Sequence, residues 1–171
     1  MKKIFSFLYL LCLTALATGQ LSPRIANYDM DIRLDETTKV IYGKTQLDWK
    51  NTSADTIYSL HFHLYLNAFK NNQSTWLREA GGINSSTLAY EEEYDIWGYS
   101  EMFNIVDSTG IDLTKNIRYI QPDDDNEWDQ TVVVIPLVHP VLPYESTTIS
   151  FDFISKLPLA MVRTGYSNDY H

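Results

Sequence analysis

Four windows of this chain alternate apolar and polar residues with a period of two, a pattern that suits strands with one buried face. In Tyr28-Asp29-Met30-Asp31-Ile32-Arg33-Leu34-Asp35 every even position is apolar, which predicts a strand with one wet face. Val40 to Lys50 follows after the turn-forming Glu36-Thr37-Thr38-Lys39, with Thr45, Leu47 and Trp49 inward. Gly43 inside it marks a bulge or a close approach. A third window runs from about Thr56 to Leu66 and contains Leu60-His61-Phe62-His63-Leu64-Tyr65-Leu66-Asn67-Ala68-Phe69. Leu60, Phe62, Leu64 and Leu66 share one face of that strand; His61 and His63 share the other. The fourth, Ser146 to Ser155, points Ile149, Phe151 and Phe153 inward.

The first three windows are joined at hairpin spacing, which argues for an antiparallel sheet. Ser74 to Ala80 reads as one short helix closed by Gly81-Gly82, and Ile83 to Tyr94 as a polar loop. Further strands are expected at Tyr99–Val106, Ile117–Gln121 and Thr131–Ile135, with Pro140 and Pro143 flanking a turn. Six or seven strands with at most one short helix define an all-β fold, an antiparallel β-sandwich.

Residues 1–19 stand apart. Lys2 and Lys3 precede an apolar run from Ile4 to Leu16, and small residues follow at Ala15, Ala17 and Gly19. That is the pattern of a signal peptide, cleaved after Ala17 or Gly19, and the run is short of the roughly 20 residues of a membrane span. Export is therefore expected, with no integral membrane segment after cleavage. Residues 20–171 form the mature domain. Its only possible disulfide partner, Cys12, leaves with the leader, so the mature chain has no cysteine. An exported domain without disulfides fits a bacterial periplasmic or secreted protein, in which the sequons at Asn51, Asn72 and Asn84 carry no glycan. The mature chain holds 11 basic and 22 acidic residues. Such an acidic surface argues against nucleic acid and anionic membranes as partners.

Catalytic motifs are lacking: there is no His-Glu-x-x-His, no Gly-x-Ser-x-Gly and no phosphate-binding glycine loop. His61 and His63 are the one candidate metal pair. Two histidines at i and i+2 on a strand can ligate one zinc, but neither His139 nor His171 has diagnostic spacing to complete the set. A solvated or cross-strand-packed pair is the favoured reading. Asp123-Asp124-Asp125-Asn126-Glu127-Trp128-Asp129 lacks the central glycine of a calcium loop and reads as a solvated, self-repelling segment, as does Glu91-Glu92-Glu93. The aromatics Tyr90, Tyr94, Trp97, Tyr99 and Phe103 read as packing residues, with a ligand platform as the alternative.

Several landmarks then fall in order: Ile25-Ala26-Asn27-Tyr28-Asp29-Met30-Asp31-Ile32-Arg33-Leu34-Asp35, Val40-Ile41-Tyr42-Gly43-Lys44-Thr45, Asp48-Trp49-Lys50-Asn51-Thr52-Ser53, the histidine strand, and Arg163-Thr164-Gly165-Tyr166. From about Ile25 to His171 the chain resembles the N-terminal β-domain of the aminopeptidase N-like zinc metallopeptidases, the gluzincin aminopeptidases, most closely secreted bacterial members. The resemblance implies a saddle-like β-domain, incomplete at its C-terminal end, whose partner is a downstream thermolysin-like catalytic domain. Zinc and the peptide substrate are expected there, and no cofactor is expected in this chain. No catalytic residue carries over onto this sequence, and its substrate-binding residues stay unassigned. A stand-alone secreted binding module for peptide or glycan is the alternative.

Overall fold

A computed structural model describes residues 22–82, 95–160, 164–168 and 170. The leader, the Glu91-Glu92-Glu93 run, Tyr90, Tyr94, Arg163 and His171 lie outside the described residues. Seven strands are described: β1 (Ala26–Asp35), β2 (Val40–Lys50), β3 (Ile57–His63), β4 (Tyr99–Asp107), β5 (Arg118–Ile120), β6 (Val132–Val141) and β7 (Ser146–Lys156). They form a four-stranded sheet in the order β1-β2-β7-β4 and a three-stranded sheet in the order β3-β6-β5. Every pairing is antiparallel. The fold is all-β, as the alternation requires.

The core lies between the sheets. Leu47, Met102, Ile105, Ile149 and Phe151 come from the larger sheet, and Leu60, Val133 and Ile135 from the smaller, with Leu113 beside them. The inward residues expected on β2 and β7 are inward, with Thr45, Leu47, Ile149 and Phe151 all buried. Gly43 is a close approach rather than a bulge. The β2–β7 register runs unbroken through it, and a Cβ there would fall inside the Phe153 ring, 2.1 Å from Cε1. The ladder is interrupted in β4 instead, between Phe103 and Val106. There Asn104 takes a φ of 50°, and the fully buried Ile105 donates its amide to the Thr114 hydroxyl at 2.9 Å.

Three expectations are corrected. The histidine strand ends at His63, because Tyr65–Phe69 winds into a 3-10 turn. Asn67, fully buried, is the cause. Its Nδ2 donates to the Gln130 carbonyl at 2.8 Å, and its Oδ1 accepts the Ser100 amide at 2.8 Å. An extended chain could not hold that side chain between the two sheets. Second, β6 continues to Val141 through Pro136 and Pro140. It pairs with β5 only at Val132–Val134, so its proline-bearing stretch has one edge free, where a missing N–H costs no ladder bond.

Third, β1 has two wet faces. Tyr28, Met30 and Ile32 are 52%, 50% and 52% exposed, although their register partners are Leu47, Thr45 and Gly43, all buried on β2. The alternation is correct, but the three-stranded sheet covers β2, β7 and β4 and leaves β1 overhanging.

A second buried asparagine closes the other end of the sandwich. Asn51, 1% exposed, follows β2 and donates Nδ2 to the carbonyls of Asp55, Val141 and Leu142 at 2.8, 3.3 and 3.1 Å. Its Oδ1 accepts the Ser53 amide and hydroxyl. Among the described residues, one buried side-chain atom has no partner, the Thr45 hydroxyl.

Two substitutions should move stability in opposite directions. Asn67→Ala strands the Ser100 amide and the Gln130 carbonyl and is expected to cost about 2–4 kcal/mol. Thr45→Val removes an unsatisfied hydroxyl while keeping the branched shape and is expected to add about 1 kcal/mol. Urea denaturation followed by far-UV circular dichroism measures both.

Candidate functional site

Beside the end of β3 lies a cleft of about 530 Å³. Three segments converge on it. β3 and the turn after it bring His63, Tyr65 and Ala68, the helix α1 (Thr75–Glu79) brings Thr75, Trp76 and Glu79, and the loop before β6 brings Gln121 to Asp124, Asp129 and Thr131. The helix is the one expected from sequence. Ser74 caps it, accepting the Leu77 amide at 3.3 Å, and Gly81 and Gly82 at φ of 85° and 77° close it.

The acidic loop is solvated at Asp123, Asp125 and Glu127, as expected, but two of its carboxylates are engaged. Thr75 joins two of its carboxylates to the start of α1: its amide donates to Asp129 at 3.1 Å and its hydroxyl to Asp124 at 2.7 Å. Asn126, also buried, donates Nδ2 to the Gln73 carbonyl and the Thr75 hydroxyl, while Asp125 turns the chain at a φ of 53°. The other Asp129 oxygen accepts the amide and hydroxyl of Thr131. Burial pushes the Asp129 carboxyl up, but the Thr131 hydroxyl and the amides of Thr131 and Thr75 outweigh it and hold the group below its ordinary value of 3.8. Two of the loop's five carboxylates, those of Asp124 and Asp129, thus hold the loop against the helix.

His61 and His63 share an exposed face, as expected, yet each is engaged separately. A ring nitrogen of His61 lies 3.2 Å from the Ser59 hydroxyl. The His63 ring stacks on Tyr65, centroids 3.9 Å apart and 34° tilted. The contact runs along the chain, two residues on, rather than across strands. His139 sits exposed on β6. Among the described residues no group of three or more His, Cys, Asp and Glu side chains could hold a metal ion. The described residues therefore do not assemble a metal site of three such side chains around His61 and His63. Among them, too, no helix is long and apolar enough to cross a membrane.

Of the aromatic group, Trp97, Tyr99 and Phe103 are half-buried, which fits packing. The rings that border the cleft are different ones: Tyr65, 74% exposed, and Trp76, 38% exposed and held edge-on to Phe69 at 5.1 Å. Nothing in the sequence pattern singles out Trp76, because its place depends on how the turn at Tyr65–Phe69 presents α1. A shallower hollow of about 350 Å³ on the outer face of the large sheet is lined by Asp31, Arg33, Tyr42, Lys44, Phe103 and Asp152. Its charges alternate in sign along the register, and Arg33 lies 4.5 Å over the Tyr42 ring. Comparison of the chain with protein-family models, with curated proteins and with solved structures found no match.

Asp129 makes the loop pH-sensitive in a defined direction. A depressed carboxyl stabilises the fold fully above its unfolded value and loses that contribution as pH falls through the folded one. Asp129→Asn is expected to cost about 1–3 kcal/mol at neutral pH, with the gap to wild type closing as pH falls below the ordinary carboxylate range. Urea midpoints from neutral pH downward measure it.

Proposed function

We propose that this chain is the non-catalytic N-terminal β-domain of an exported zinc metallo-aminopeptidase, a scaffold against which a thermolysin-like catalytic domain packs. Peptide hydrolysis and the zinc that supports it belong to that second domain. The observation that carries this reading is the uncovered face of β1. Tyr28, Met30, Ile32 and Leu34 are directed to the core side of their sheet but, among the described residues, meet no second layer. A row of exposed apolar side chains on a strand of 10 residues suits a surface made to be covered by further protein. The ordered landmarks on β1, β2 and β3 support the same reading from sequence.

The second reading, a secreted β-sandwich module that binds peptide or glycan by itself, is favoured by the cleft. The two differ in the reading frame. Continuation past His171 into a segment with His-Glu-x-x-His is expected; a stop codon directly after His171 overturns the scaffold reading. Purified chain should show no amino-acyl amide turnover, and chelator-sensitive turnover would count equally against it.

The face itself can be probed. Ile32→Thr keeps a branched residue suited to a strand and should change the stability of this chain by no more than about 0.5 kcal/mol, as at other exposed sites. A loss of about 2 kcal/mol in urea denaturation would mean that the chain covers the face by itself.

A further inference from the structure

The cleft beside β3 has a chemistry that the scaffold reading leaves unused. Three aromatic rings border it, and each is held without being buried. His63 and Tyr65 brace one another in a stack, and Trp76 is propped against Phe69. Ordering exposed rings costs side-chain entropy that burial does not repay here, which is the condition of a preformed contact surface. Four carboxylates line the same space, from Glu79, Asp123, Asp124 and Asp129, and among the described residues no lysine or arginine does. Asp124 and Asp129 already accept hydrogen bonds from Thr75, Asn126 and Thr131, so they are fixed in place and set the sign of the field. Asp123 and Glu79 stand exposed at the rim.

We propose that this cleft binds a guanidinium group, the side chain of an arginine presented by a peptide. A planar, weakly hydrated cation can lie against the faces of Tyr65 and Trp76 while its N–H fork reaches a carboxylate at the rim. A compact, strongly hydrated metal ion would instead need several free carboxylate oxygens, and those of Asp124 and Asp129 are engaged. Both the scaffold and the stand-alone module could carry such a site, so the proposal stands whichever way the reading frame runs.

The probe is N-acetyl-arginine amide, titrated into the isotopically labelled chain and followed by amide and indole chemical shifts. The neutral isostere N-acetyl-citrulline amide is the control. Arginine amide is expected to shift the resonances of Tyr65, Trp76 and Asp123, and citrulline amide to bind at least about tenfold more weakly. Tyr65→Ala, at a side chain exposed to solvent, and the pair Glu79→Gln with Asp123→Asn should each weaken binding several-fold. Asp48→Asn, on β2 and outside the cleft, should not. Equal binding of citrulline amide, no saturable shift at all, or insensitivity to both cleft variants overturns the proposal. So does calcium alone displacing the arginine probe, which would make the cleft a metal site.

Discussion

Two buried asparagines hold this sandwich shut, one at each end, and most of its architecture depends on them. Asn67 receives an amide from β4 in the larger sheet and gives its own N–H to the chain entering β6 in the smaller. Asn51, at the end of β2, reaches the carbonyls where β6 ends. Backbone ladders tie strands only within a sheet, and apolar contacts between sheets are not directional. The asparagine amides supply the direction. They fix where each sheet ends relative to the other, and they do so where the cost of an unmet hydrogen bond is highest.

The same clamp places the cleft. Asn67 ends β3 and forces the 3-10 turn, which swings Tyr65 outward and carries the chain toward α1. The loop before β6 arrives on the other side, because Gln130 is bound by Asn67 and Lys70. A histidine strand, a short helix and an acidic loop, unremarkable one by one, become the three walls of one hollow.

Legibility followed the range of the interactions. Alternation located β1, β2 and β7 almost to the residue, since a period of two is a local property. The helix at Thr75–Glu79 was legible from Ser74 and the paired glycines for the same reason. Leu66 continued the apolar rhythm of β3 but is not in the strand, because hydrogen bonds from Asn67 to residues 33 and 63 positions away outweigh one more alternating side chain. Alternation also names a face without saying what covers it, which is how β1 came to be wet on both sides. The acidic loop's repulsion was legible because composition counts charges; the threonine and asparagine donors that meet Asp124 and Asp129 were not. His63 and Asp123–Asp129 were each visible in the sequence; their meeting was not, since it rests on that one turn.

Asn51 carries a further consequence. The sequence Asn51-Thr52-Ser53 is an acceptor site for N-linked sugar, and the sugar would attach at Nδ2. That same nitrogen points at three backbone carbonyls from a side chain that is 1% exposed. Glycan and clamp compete for a single atom. A cell that modifies nascent chains could sugar this residue only before the sandwich closes, and the mark would then keep it open.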